Sequence, residues 1–151
     1  MLSFSHSSQS FFIINCDDFG WNSYRDSAIL SLFESKDIKS SSVLINGYNS
    51  KFAISQAKIL DFPLGLHINF TEGLPIRTDL EKNTLLKKAL FQANPNSKIQ
   101  EMQVFHGKFE FFERIKEGSI NKEHILKEIQ AQVNEKTSFL LEISMKRSRV
   151  S

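Results

Sequence analysis

Cysteine is almost missing from this chain: Cys16 is the single one among 151 residues. That excludes an intrachain disulfide framework and a cysteine-built zinc cluster, and it fits a reducing compartment. The thiol reads as a small buried hydrophobe beside two carboxylates. Long apolar runs are lacking as well. No window reaches the roughly 18 residues of a membrane-spanning helix, and Met1 to Ser10 has neither basic residues nor an apolar signal core. A cytoplasmic chain with no membrane partner is the expectation. Charge of one sign is also wanting: 19 basic residues against 17 acidic ones leave a net +2. Such a balance carries no electrostatic footprint for nucleic acid. Internal repeats and domain linkers are absent too. One globular domain is expected, able to bury about 68–70% of its unfolded surface if it closes.

What is present gathers around Phe11-Phe12-Ile13-Ile14-Asn15-Cys16-Asp17-Asp18-Phe19-Gly20. The apolar run predicts a strand buried on both faces, as in a parallel sheet wrapped by helices, and Gly20 marks the turn leaving it. Asp17 and Asp18 then fall at the strand's C-terminal end, where α/β folds bind ligands. Ala28, Ile29, Leu32 and Phe33 predict a helix from Ser23 or Tyr24 to about Lys36. Val43-Leu44-Ile45 predicts a second strand, stopped by Asn46-Gly47. Phe52, Ala53, Ala57 and Leu60 share the face of a second helix, begun at Ser50 and closed at Asp61-Phe62-Pro63. A third strand is expected over Leu64 to Phe70, with Leu64, Leu66, Ile68 and Phe70 on the helix-packed side and His67 and Asn69 on the other. This alternation predicts βαβ units and a parallel sheet.

Thr71-Glu72-Gly73-Leu74-Pro75 reads as a loop at the same rim. Leu85, Leu86, Ala89 and Leu90 predict a helix from Asp79 to about Ala93, broken at Asn94-Pro95-Asn96. Phe105, Phe109, Phe111 and Phe112 predict a short strand or helical turn packed on the core. Ser119 or Asn121 begins a long helix to residue 136 or beyond, with Ile125, Ile129 and Val133 four apart. Leu140, Leu141 and Ile143 extend that helix or start a strand. Residues 1–10 read as a disordered lead-in, 11–144 as one domain and 145–151 as a basic tail. His6, His106 and His124 read as surface histidines.

Neighbouring carboxylates repel unless a cation or a shared proton relieves them. Asp17, Asp18 and His67, with Asn69, Thr71 and Glu72 nearby, are therefore candidates for a divalent metal site. Asp18 and His67 suit metal ligation, and Asp17 suits proton acceptance, which contributes about 10²–10⁴-fold to a rate. Two other readings stay open: Asp-Asp-Phe-Gly as a helix cap, and His67 as a satisfied core histidine.

Ile14-Asn15-Cys16-Asp17-Asp18-Phe19-Gly20, Ser40-Ser41-Ser42-Val43-Leu44-Ile45-Asn46-Gly47 and Gly65-Leu66-His67-Ile68-Asn69-Phe70-Thr71-Glu72-Gly73-Leu74-Pro75 resemble, in order and spacing, the YdjC-like (ChbG-type) carbohydrate deacetylases. Lys127-Glu128-Ile129-Gln130-Ala131-Gln132 resembles that family's helix before its last metal motif. The resemblance implies an α/β fold, the N-terminal part of a deformed TIM-type barrel with parallel strands. It also implies removal of acetyl groups from N-acetylated sugars or oligosaccharides with a divalent metal, magnesium first and zinc or another ion as alternatives. Asp17 then resembles the general base, Asp18 and His67 two metal ligands, and Asn69, Thr71 and Glu72 substrate contacts. Family members continue into a histidine-containing motif that supplies a third ligand, and Thr137-Ser138-Phe139-Leu140-Leu141-Glu142 does not match it. The chain is thus expected to hold about half of a barrel that runs to about 250 residues. Half a barrel leaves sheet edges open, so marginal stability, aggregation or a homodimer is expected. The alternative to an active deacetylase is a non-catalytic form, unstable or sugar-binding only.

Overall fold

The computed structural model describes residues 12–79, 82–92 and 96–147. Strand β1 (Asn15–Phe19), helix α1 (Ser23–Glu34), strand β2 (Ser40–Leu44), helix α2 (Ser50–Ile59) and strand β3 (Leu64–His67) alternate in order. β2 lies between β1 and β3 and pairs parallel with both, which is the predicted βαβ arrangement. Asn22 starts α1 by accepting the Arg25 N–H at 3.0 Å, satisfying a donor that the helix itself leaves open. α1 and α2 bury one face of the sheet around Phe19, Ile29, Val43, Ala53 and Ile54, with Cys16, Leu64 and Leu66 packed against them. By strand alternation the opposite face carries Asn15, Asp17, Ser40, Ser42 and His67. Hydrogen bonds tie that polar face together: Ser40 Oγ donates to Asn15 Oδ1 at 2.7 Å, and Ser42 Oγ to Asp17 Oδ1 at 2.6 Å.

Several expectations are corrected. The first strand begins at Asn15 and includes both aspartates, while Phe12, Ile13 and Ile14 are 87%, 83% and 55% exposed. Pairing decides this: the ladder with β2 starts at Asn15 opposite Ser40, and among the described residues nothing covers the apolar run. Phe11 lies outside the described residues. β2 starts three residues earlier than Val43, and β3 ends at His67, before Phe70. The helix expected from Asp79 is instead a hairpin. β4 (Leu86–Phe91) pairs antiparallel with β5 (Gln100–Phe105), so a partner distant in sequence overrides the local spacing of leucines. Residues 93–95 at its tip lie outside the described residues.

Helix α3 (Lys108–Lys116) follows, and the long helix α4 (Lys122–Arg147) runs straight through Leu140 and into the stretch expected to be a tail. Residues 1–11 and 148–151 are not among those described. A second apolar cluster joins these elements: Leu85, Leu86, Phe105 and Phe111, with Phe70, Ile120 and Ile125 against it. Among the described residues the strands form one three-stranded parallel sheet and one two-stranded antiparallel sheet. Together the elements make an α/β fold, without closure of these strands into a barrel.

Candidate active site

The site is built on an irregularity. Between Cys16, opposite Ser41, and Phe19, opposite Val43, β1 holds one more residue than β2. Asp18 takes the left-handed conformation there, with φ of 65°. Bulges re-aim side chains, and strained backbone of this kind concentrates at functional sites. The bulge turns Asp18 across the end of β2 to β3. Its Oδ1 lies 3.0 Å from His67 Nδ1, and its Oδ2 lies 2.8 Å from Arg25 Nη1.

The Asp18 backbone N–H also donates to His67 Nδ1, at 3.3 Å. The same nitrogen faces a carboxylate oxygen at hydrogen-bond distance. An imidazole nitrogen and a carboxylate so placed can share a proton or a cation between them. Asp17 stands beside this pair on the polar face of the sheet. Its Oδ1 accepts from Asn15 Nδ2 at 2.8 Å and from Ser42 Oγ at 2.6 Å, while no hydrogen bond to Oδ2 is found among the described residues. No three His, Cys, Asp or Glu side chains among the described residues converge as a metal cluster.

The turn after β1 is clamped from both sides. Trp21 N–H bonds to Asp18 O at 3.3 Å. Gly20 has φ of 89°, and a Cβ there would lie 2.9 Å from Ser50 Cα. A Cβ on Gly47 would come within 2.1 Å of Gly20 O, so glycine is required at both positions. Asp26, fully buried in α1, accepts the Gly20 N–H at 2.7 Å and the Asn49 side-chain amide at 2.7 Å. Burial pushes the Asp26 carboxyl above its ordinary range, opposed by these two hydrogen bonds and by the Arg25 charge.

The loop after β3 is held just as firmly. Asn69 is 6% exposed, and its Oδ1 accepts the Thr71 and Glu72 N–H groups at 3.0 and 3.2 Å. Its Nδ2 donates to Glu72 O at 2.8 Å. Asn69 therefore shapes the loop, while Thr71 and Glu72 remain more accessible. α4 grips the same loop through two fully buried polar residues. Gln132 exchanges hydrogen bonds with the Asn69 backbone at 3.1 and 2.7 Å, and Glu128 accepts the Ile76 and Arg77 N–H groups at 3.0 Å each. Sequence reasoning missed Asp26, Glu128 and Gln132 as positioning residues. The available signal was a polar side chain on a helix face that otherwise packs inward.

Of the two outlying histidines, His106 is buried and His124 is partly buried. His106 is 5% exposed, with Nδ1 2.9 Å from Glu110 Oε1 and Nε2 3.1 Å from Thr84 O. His124 Nδ1 accepts the Thr84 N–H at 3.0 Å. Both bond to Thr84, at the start of the hairpin. These contacts are distant in sequence, which an aromatic run or a helix start does not reveal. His6 lies outside the described residues. Among those residues no helix is long and apolar enough to cross a membrane.

The chain is similar to known proteins over most of its length. A family model described as YdjC-like protein matches residues 11–140. A carbohydrate deacetylase of Danio rerio is 34% identical over 122 residues, covering 81% of this chain and 35% of that protein. One of Xenopus laevis is 31% identical over 121 residues, covering 80% and 35%, and one of Homo sapiens is 27% identical over 122, covering 81% and 34%. The chain thus spans about a third of the length of these relatives. A solved structure from Enterococcus faecalis V583, named for cellobiose-phosphate cleavage, superposes with a TM-score of 0.60 at 20% identity. It covers 84% of this chain and 43% of its own, and it establishes the shared fold. By the matched model and these relatives, the chain belongs to the YdjC-like protein family.

Proposed function

We propose that the protein serves metal-dependent deacetylation of N-acetylated carbohydrates, yielding acetate and a free amine. The observation that carries this reading is the approach of Asp18 Oδ1 to His67 Nδ1 at 3.0 Å. A carboxylate oxygen and an imidazole nitrogen brought together in this way would be the residues to hold a divalent cation. Magnesium is the first candidate and zinc the second. Such a cation, when bound, supplies Lewis acidity for activating water and stabilising an oxyanion.

The remaining work falls to the chain. Asp17 Oδ2 accepts a proton from the attacking water as its oxygen bonds to the acetyl carbon. The same carboxyl then gives the proton to the departing nitrogen as the C–N bond breaks. Asn15 and Ser42 hold Oδ1 and so fix the orientation of Asp17. Arg25 neutralises the outer oxygen of Asp18. Asn69 shapes the loop that offers Thr71 and Glu72 to sugar hydroxyls. The lone cysteine supports a reducing, cytoplasmic setting.

A second reading, sugar binding without turnover, is favoured by one observation: Asp18 and His67 are a pair without a third converging ligand among the described residues. Acetate release from N,N′-diacetylchitobiose, with and without added magnesium or zinc, separates the two. Metal-dependent release that His67→Ala abolishes supports the enzyme. Binding with no acetate at any metal concentration supports the second reading.

A further inference from the structure

Trp21 is the sole tryptophan of the chain, and it lies outside both apolar clusters. One β-turn separates it from Asp18, closed by the Trp21 N–H to Asp18 O bond at 3.3 Å. A turn of that kind keeps the two Cα atoms within about 7 Å. The indole reaches over the rim to the loop after β3: its Cζ3 and Cη2 stand 3.6 Å from where Gly73 would carry a Cβ. Tyr48, from the loop after β2, packs beside it with ring centroids 5.3 Å apart and planes tilted by 41°. Trp21 is half-buried and Tyr48 is 46% exposed. Two large aromatic rings, from the turn after β1 and the loop after β2, thus pack on one another, with Trp21 reaching the loop after β3 and lying one turn from Asp18 in the chain, and neither ring is closed into a core.

The face of a pyranose ring is a patch of C–H groups with a slight positive charge, bounded by hydroxyls. The face of an aromatic ring is apolar and carries negative quadrupole density. The two surfaces complement each other in shape, hydrophobicity and charge. A pair placed at the core would need no open surface, and a pair placed for solubility would not be aromatic. We propose that Trp21 and Tyr48 form a stacking subsite for a pyranose ring of the substrate, orienting the sugar so that its acetamido group meets Asp17, Asp18 and His67. This inference rests on the deacetylase reading for what lies beside the stacked ring.

Because the chain has one tryptophan, its emission reports on the subsite directly. The full chain is titrated with N,N′-diacetylchitobiose and with cellobiose, which has the ring faces but no acetamide. Saturable changes in Trp21 emission are expected with both sugars. Tyr48→Ala is expected to raise the half-saturating concentration about three- to tenfold, and Tyr48→Phe, which keeps the ring, to behave nearly as wild type. Should Tyr48→Ala fail to fold by circular dichroism, Tyr48→Leu replaces it, retaining bulk without the π-face. Acetate release with no emission change at saturating sugar overturns the subsite and leaves the deacetylase reading standing. Emission changes with both sugars but no acetate release overturn the deacetylase reading and leave the subsite standing. Equal half-saturation for wild type and both non-aromatic variants also overturns the subsite.

Discussion

At Asp18 a single backbone angle decides where the carboxylate points. A regular strand would send this side chain to one face or the other, but φ of 65° and the bulge carry it across to His67. Asparagine tolerates the left-handed region and keeps the shape while losing the charge. Asp18→Asn is therefore expected to fold with a stability within about 1 kcal/mol of wild type, since exposed ion pairs contribute little. It should nonetheless lose any rise in Tm that magnesium or zinc produces, which differential scanning fluorimetry reads. Asp26 is the other decisive residue. Asp26→Ala leaves the Gly20 N–H and the Asn49 amide without their partner and is expected to cost about 1–3 kcal/mol in urea unfolding. Asp26→Asn should recover much of that loss. The placement of Asp17, Asp18 and His67 at one end of the sheet was legible in sequence because polar residues interrupt apolar strands. Asp26 was not, because an acid in the first turn of a helix reads as a partner of the helix dipole.

Elements show where local pattern stops being informative. The spacing of Ile125, Ile129 and Val133 predicted the long helix correctly, yet Val133 is 41% and Leu126 65% exposed. The face that docks carries Glu128, Gln132 and Lys136, whose Nζ reaches Leu64 O at 2.9 Å. Backbone groups of the loop after β3, freed from any sheet, need partners, and α4 supplies them. Glu128→Ala and Gln132→Ala are each expected to cost about 1–3 kcal/mol. Because Gln132 Nε2 also donates to Glu128 Oε1 at 2.9 Å, the double variant should fall short of the sum by at least about 0.5 kcal/mol, measurable in a double-mutant cycle. β4 is the converse case. Its leucines fit a helical period, but six cross-strand pairs with β5 hold it extended.

For the molecule as a whole, acid and exposed edges are the weak points. Lys87, then Arg114 and His106, hold the Glu110 carboxyl down to about 2. Burial, then the Arg114 charge, keeps the His106 imidazole below its ordinary range, with Glu110 pulling the other way. Both groups have lowered values in the fold. Each therefore contributes stability that is present above its unfolded value and lost as pH falls, from 6.5 downward for His106 and from 4.5 towards about 2 for Glu110. Asp26, with its raised value, works in the opposite sense: its contribution is present below 3.8 and lost as pH rises through its folded value. Glu110→Gln is expected to lower the urea midpoint at pH 7, with the difference from wild type gone near pH 2. Among the described residues β1 is a sheet edge, preceded by exposed Phe12 and Ile13. Edges of this kind recruit a second chain. Concentration-dependent association in sedimentation is expected, and Phe12→Ser with Ile13→Ser should weaken it.

Sequence alone determined the βαβαβ order, the long final helix and the family, and it singled out Asp17, Asp18 and His67 as candidates, because alternation, turn residues and short motifs are local properties of the chain. Tertiary structure decided the rest. It set where β1 begins, since burial depends on what packs against a strand. It made a hairpin of β4, since β5 outweighs a helical period. It brought Asp18 to His67 through a bulge, and it buried Asp26, Glu128 and Gln132 against backbone groups that only the folded loops leave in need of partners.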